Sequence, residues 1–190
     1  LPVREDHPTE PLSIYGVHKL TAEKYYLSFS RHYQIPCVCF RIANPYGPRS
    51  QMKKSSYGIL NWFIRLAMEG KEIKVFGDGK QLRDYVYVED IAEGMILGAF
   101  SEQSNGNIYN IGSGKSMSFL DMVRTIIETV GNGSYTLIPW PESWENVETG
   151  DYVLDISKIG RELDWRPRTG FKEGIAKTVD YYKRYQGHYW

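Results

Sequence analysis

The sequence lacks the features that mark several large classes of protein. Its 23 basic and 23 acidic residues cancel, and no block of like charge runs along the chain, so nothing indicates a nucleic-acid-binding or basic membrane-binding surface. Its apolar runs are far shorter than the roughly 20 residues that a membrane span needs, and the opening LPVREDHPTEP lacks the layout of a secretory signal. We therefore expect a soluble, cytoplasmic protein with no nucleic-acid or membrane partner.

Cysteine is also scarce. Cys37 and Cys39 are the only cysteines, and they alternate in PCVCF. This is not a zinc-ligand spacing, and a disulfide between neighbours on one strand face would be strained. We expect two buried thiols and no metal site.

A third missing feature is a glycine-rich phosphate-binding loop. The glycine-rich stretches are GDG at Gly77 to Gly79 and GSG at Gly112 to Gly114, and neither opens a first βαβ unit, as a dinucleotide fingerprint must. The chain begins with Leu1 and a proline-rich polar segment. We expect the sequence to be the back portion of something longer.

The 190 residues, 42% of them hydrophobic, are enough for one folded unit with a real core. Helices are predicted over residues 13–33, 57–69, 119–130 and 172–185, and Gly70 is expected to cap the second of these. Two further helices are predicted to begin at Glu89 and Asp90 and just after Asp155. Strands are predicted over residues 38–42, 85–88 and 135–138 and in EIKVF and NIYNI. ANPYGPRS is predicted as an irregular loop, and PWPESWENVETGD as a mobile segment. This order indicates an α/β sheet followed by a looser α+β region.

The stretch SIYGVHKL places Tyr15 four residues before Lys19 in the first predicted helix, so both side chains lie on one face. Tyrosine, with an unperturbed pKa near 10, is a poor base at neutral pH, but a nearby ammonium favours its phenolate. The pair alone is equally compatible with a surface tyrosine beside a solvated lysine.

Five stretches, read in order, resemble the extended short-chain dehydrogenase/reductase family, and among its members the nucleotide-sugar epimerases and dehydratases of the UDP-galactose 4-epimerase type. They are SIYGVHKLTAEKY, FRIANPYGPRS, FGDGKQLRDYVYVEDIAEG, YNIGSGKSMSFLDMV and LDISKIGRELDWRPRTGFKEGI. The resemblance covers essentially the whole chain. It implies the C-terminal part of a Rossmann-like parallel sheet over residues 1–112, with interleaved substrate-binding segments, and a smaller α+β substrate-binding lobe over residues 113–190.

The resemblance implies NAD as cofactor and a nucleotide-diphosphate sugar as substrate. Tyr15 would take the proton of a sugar hydroxyl, while Lys19 would contact the nicotinamide ribose and assist Tyr15. Both residues would thus be catalytic and cofactor-binding. Without the phosphate loop, the chain as written is expected to be inactive and not to bind NAD tightly.

The resemblance also implies substrate contacts. Asn44 would touch the diphosphate-sugar, although an asparagine held in a turn by its own backbone bonds is the alternative. Arg83 would bind the diphosphate with its planar guanidinium, the alternative being a surface salt bridge with Asp84.

Val75 and Phe76 would flank the nucleotide base, although both are also compatible with a core strand. Leu60 would lie near another ligand contact. Asp90 and Asp155 are interpreted as helix-opening acids rather than catalytic groups. The stretch ENVETGDYV lacks the arginine with which many family members hold the nucleotide, so the base is left open.

Three functions are compatible with this pattern. The first is an NAD-dependent nucleotide-sugar epimerase; the second is a 4,6-dehydratase or decarboxylase of the same family; the third is a binding module that has lost cofactor use. The resemblance also implies a homodimer formed through the first helix, whose Tyr25, Tyr26 and Phe29 suit either an interface or a core.

Overall fold

The computed structural model describes residues 1–55, 58–141 and 150–190. Its helices are α1 (Ile14–Tyr33), α2 (Ile59–Met68), α3 (Val88–Phe100), α4 (Phe119–Val130), α5 (Ser157–Leu163) and α6 (Phe171–Tyr185). Its strands are β1 (Cys39–Ile42), β2 (Asn44–Tyr46), β3 (Glu72–Phe76), β4 (Leu82–Arg83), β5 (Tyr85–Tyr87), β6 (Ile108–Ile111), β7 (Met117–Ser118) and β8 (Ser134–Ile138). Short 3₁₀ turns occupy Glu102–Ser104 and Gln186–His188.

The helix ends follow from local chemistry. At the start of α1, the Ser13 hydroxyl oxygen accepts a hydrogen bond from the Gly16 N–H at 3.1 Å, which satisfies one of the donors that a helix leaves unpaired. After α2, Gly70 adopts φ +67°, and the Lys71 N–H donates to the Leu66 carbonyl at 2.8 Å. This left-handed glycine ends the helix as the sequence predicts.

The strands pair mainly in parallel. β1 pairs with β6, β2 with β5 and β3 with β8 in parallel register, while the short β4 and β7 are antiparallel. Parallel pairs joined through helices are the pattern of an α/β fold. The predicted α/β class is confirmed, whereas the division at residue 112 stays a prediction.

The prediction for ANPYGPRS is wrong, because Asn44–Tyr46 forms β2 and pairs with Tyr85–Tyr87. In a parallel ladder only alternate residues turn their N–H groups toward a given neighbour. The N–H of Asn44 donates to the Asp84 carbonyl at 3.0 Å, so the nitrogen of Pro45 faces away from β5. The proline therefore costs this pairing no hydrogen bond.

Two hydrophobic cores meet at β5. Tyr85 and Tyr87 belong to the first core, and Val86, between them, belongs to the second. The first core takes most of its side chains from α2, β3, α4 and α6, and the second takes them from β6, α5 and the Trp165 region. Successive residues of β5 therefore pack into different cores, which fixes the position of the strand. The segment just before β5 contains Arg83 and Asp84.

Cys37 and Cys39 are free thiols of intermediate exposure, so the prediction that both thiols are buried is wrong. The two residues lie at the entry to β1, where the strand is only partly covered. Over the described ranges, no helix has the length and apolar character to cross a membrane.

Candidate functional site

Tyr15 and Lys19 lie in the first two turns of α1 and share one face of it. The Lys19 Nζ atom is 5.4 Å from the centroid of the Tyr15 ring, a cation–π distance. The Tyr15 side chain is 70% exposed. The helix therefore brings an ammonium to a phenol that solvent or a ligand can reach, as the spacing predicts.

Asn44 is the first residue of β2, directly after the end of β1. Its side-chain Nδ2 donates to the main-chain carbonyl of Asp84 at 3.0 Å, and its own main-chain N–H donates to the same oxygen at 3.0 Å. The alternative of an asparagine held in a turn by its own backbone is wrong, because both bonds reach Asp84, which lies 40 residues away between β4 and β5.

Arg83 is held by main-chain oxygens. Its Nη1 donates to the carbonyls of Leu82 at 2.8 Å and Gly150 at 2.6 Å. Asp84 is fully buried, so the alternative of a surface salt bridge between Arg83 and Asp84 is wrong. The structure ties the predicted diphosphate-binding guanidinium to the segment that begins at Gly150.

The other three residues expected to contact the ligand differ in exposure. Leu60 and Val75 lie inside the first core, with 3% and 0% of their surfaces exposed, so for Val75 the structure favours a core strand residue. Phe76 is half-buried, and its ring packs on Trp140 with centroids 5.4 Å apart. Contact of these three with a nucleotide stays a prediction.

The two acids interpreted as helix-opening residues behave differently. Asp155 accepts a hydrogen bond from the Ser157 N–H at 2.8 Å, which agrees with an acid at the start of α5. Hydrogen bonds from the side chain and the main chain of Ser157 lower the pKa of Asp155. Asp90 lies in the first turn of α3. Its carboxylate, however, accepts from the Thr169 N–H and hydroxyl at 3.0 and 3.3 Å, so it joins α3 to the chain before α6.

Neither Asp84 nor Trp140 was predicted from the sequence to be a functional residue. The only sequence signal for Asp84 is its place after Arg83, and a lone tryptophan after a strand carries none. Part of the stretch ENVETGDYV and most of the segment expected to be mobile lie outside the described residues. Among the residues that are described, no cluster of three His, Cys, Asp or Glu side chains could hold a metal ion.

The chain is similar to proteins of one known family. Residues 2–112 match the profile of the NAD dependent epimerase/dehydratase family. A putative UDP-glucose 4-epimerase of Methanocaldococcus jannaschii is 34% identical over 183 residues, which are 96% of this chain and 57% of that protein.

Solved structures of an epimerase and a dehydratase are also similar to this chain. A UDP-glucose 4-epimerase of Thermotoga maritima with UDP-glucose has a TM-score of 0.87 at 30% identity over 98% of this chain and 58% of that one. A dTDP-glucose 4,6-dehydratase of Streptomyces venezuelae with NAD bound has a TM-score of 0.86 at 26% identity, over 100% and 56% of the two chains. The chain thus spans somewhat over half the length of these proteins.

Proposed function

Because this chain belongs to the NAD-dependent epimerase/dehydratase family, we propose that it is the catalytic-helix and substrate-binding part of an NAD-dependent nucleotide-sugar epimerase of the UDP-glucose 4-epimerase type. The observation that carries this proposal is the Lys19 ammonium, 5.4 Å from the centroid of the exposed Tyr15 ring. An exposed phenol beside a positive charge is suited to exchanging a proton with a bound sugar hydroxyl.

The residues present fit one end of NAD. Tyr15 and Lys19 are accessible on the same face of α1, as contacts to a nicotinamide ribose require. NAD, when bound, supplies a hydride acceptor at the sugar carbon. The 190 residues contain no glycine-rich phosphate loop, so on their own they are expected to bind the cofactor weakly.

Each side chain has a distinct part in the proposed reaction. Tyr15 exchanges a proton with the sugar hydroxyl, and the Lys19 ammonium lies beside its ring. Asn44 and Arg83 hold the diphosphate-sugar, since an amide and a guanidinium supply donors to phosphate oxygens. Phe76 borders the base.

We also propose a homodimer formed through α1. Three aromatic residues in the second half of the helix, Tyr25, Tyr26 and Phe29, have 63%, 64% and 50% of their surfaces exposed. Exposed aromatic side chains of this kind are enriched at protein interfaces.

The test is Tyr15→Phe in the full-length enzyme. This change removes only the phenolic oxygen, so turnover of UDP-glucose to UDP-galactose should fall by about 10²–10⁴-fold with little change in KM. Tyr185→Phe, the same change at a tyrosine that is 45% exposed at the end of α6, should leave the rate unchanged. An unaffected rate in Tyr15→Phe removes Tyr15 from the mechanism.

The second candidate is a nucleotide-sugar 4,6-dehydratase, or a decarboxylase, of the same family. The similarity to the Streptomyces venezuelae dehydratase favours it. The enzyme should be assayed with UDP-glucose and with dTDP-glucose; loss of water from either sugar, in place of inversion at its C4, would assign the dehydratase reaction. A non-catalytic binding module would give neither product while still binding the nucleotide sugar.

A further inference from the structure

Asp84 is a fully buried carboxylate that lies between the last residue of β4, Arg83, and the first residue of β5, Tyr85. Its Oδ1 accepts hydrogen bonds from the Ser113 N–H and hydroxyl, both at 2.7 Å. Its Oδ2 accepts from the N–H groups of Gly114 at 3.1 Å and Leu154 at 3.3 Å. One carboxylate therefore fixes the turn after β6 and the chain before α5.

The main chain at Gly112 lies very close to the Asp84 carboxylate. A Cβ atom added at Gly112 would lie 2.5 Å from Oδ2 of Asp84 and 3.3 Å from Cβ of Ala43. Only a residue without a side chain allows the turn after β6 to approach so closely. Gly112, the first glycine of GSG, thus permits the hydrogen bonds between this turn and Asp84.

The main chain of Asp84 joins the same arrangement to the proposed substrate site. Its carbonyl oxygen accepts both the N–H and the Nδ2 donors of Asn44. The preceding strand is held by the chain before α5, because the Leu82 N–H donates to the Asp151 carboxylate at 2.8 Å and the Tyr152 N–H donates to the Leu82 carbonyl at 3.0 Å. The direction of the Arg83 backbone is fixed in this way.

We propose that Asp84 is a positioning residue for nucleotide-sugar binding, which holds Asn44 and Arg83 in one fixed relation by joining β2, the turn after β6 and the chain before α5. This inference rests on the proposed function for the roles of Asn44 and Arg83. The carboxylate acts through these two residues and not on the substrate itself. A buried acceptor with four donors is costly to replace, because a substitute leaves buried N–H groups unpaired.

The experiment uses Asp84→Asn in the full-length enzyme. The amide keeps the size of the side chain but turns an NH₂ donor toward N–H groups that need acceptors. We expect KM for UDP-glucose to rise by about 10-fold or more, while kcat changes by less than about 3-fold, since Asn44 and Arg83 bind the diphosphate-sugar in the ground and transition states alike. Asp180→Asn, the same change on the exposed face of α6, is the matched control and should leave both constants unchanged.

Two further measurements keep the inference testable. Ser113→Ala removes one of the four hydrogen bonds and should raise KM by about 3-fold, which covers the case in which Asp84→Asn does not fold. Hydrogen–deuterium exchange should be faster in Asp84→Asn than in Asp180→Asn for the peptides that cover residues 43–47 and 112–115.

The outcomes separate this inference from the proposed function. An unchanged KM in folded Asp84→Asn, or in Ser113→Ala when Asp84→Asn does not fold, overturns the positioning role, as does a fall in kcat alone. If the wild type turns over neither UDP-glucose nor dTDP-glucose, the proposed function fails. In that case, faster exchange in both peptides still supports the fixed relation of the segments, and unchanged exchange overturns it.

Discussion

Arg41 and Glu23 form a two-pronged ion pair between β1 and the helix that carries Tyr15 and Lys19. Nε of Arg41 lies 2.8 Å from Oε2 of Glu23, and Nη2 lies 2.9 Å from Oε1. The two side chains are only 22% and 10% exposed, and the hydrogen bonds that Arg41 donates to Glu23 raise the pKa of Arg41. Because Glu23 lies one turn after Lys19, this pair sets the angle of α1 against the strand.

A double-mutant cycle should measure this pair directly. Glu23→Gln and Arg41→Gln, alone and together, should give a coupling free energy of about 1–3 kcal/mol in urea unfolding, since the pair is bidentate and mostly shielded from water. Each single change in the full-length enzyme should also lower kcat, because it loosens the helix that carries the proposed base.

The control for this cycle is the pair Glu173 and Lys177, four residues apart on α6 with Nζ and Oε1 2.7 Å apart. Their side chains are 56% and 47% exposed, and exposed helix pairs contribute about 0.3–0.5 kcal/mol. Equal coupling in the two cycles would contradict a special role for Arg41 and Glu23.

Arg83→Lys tests the proposed diphosphate contact. Lysine keeps the positive charge but loses the planar fork that binds two phosphate oxygens and the Nη1 bonds to Leu82 and Gly150. We expect KM for UDP-glucose to rise by about 10-fold with a smaller change in kcat.

Arg168→Lys, at an arginine whose side chain is 77% exposed, is the matched control and should not alter KM. Isothermal titration with UDP alone separates binding from chemistry. Wild-type affinity for UDP in Arg83→Lys would show that Arg83 does not bind the diphosphate.

Tyr182 should make stability fall at high pH. Its ring is fully buried, its hydroxyl donates to the Ser50 carbonyl at 2.9 Å and accepts from the Ser50 N–H at 3.0 Å, and burial raises its pKa to about 12. The unfolded chain releases this proton near pH 10. The contribution of Tyr182 is therefore complete below about pH 10 and is lost as the pH rises through 12.

Tyr182→Phe should lower the free energy of unfolding by about 1–2 kcal/mol at pH 7, because the Ser50 bonds are lost. Between pH 10 and 12, its stability should decline less steeply than that of the wild type. Urea unfolding across this range provides the measurement, with Tyr185→Phe on the same helix as the more exposed control. Parallel declines in Tyr182→Phe and the wild type would show that Tyr182 does not titrate in this window.

Local sequence was enough to predict most helices and the Tyr15 and Lys19 pair. The observed bounds Phe119–Val130 agree with the predicted helix over residues 119–130, because an apolar face and the Ser118 cap are both local signals. The relation of Tyr15 to Lys19 was equally predictable, since four residues make about one helical turn wherever the helix lies.

What could not be predicted depends on segments far apart in the chain. Pro45 argues against a strand in its own neighbourhood, yet β2 forms because β5 lies beside it. The burial of Val75 likewise depends on α2 and α4, which cover β3. Propensity is a weak guide at such positions, because tertiary packing outweighs it.

The sequence by itself determined most of the helices, the ends of several of them and the placing of a phenol beside an ammonium, because these depend on neighbours within a few residues. Only the tertiary structure decided that Asp84 is buried and that its oxygens meet Asn44, Ser113 and Leu154, which lie 40, 29 and 70 residues away. A buried carboxylate finds its donors only when those segments have already packed together.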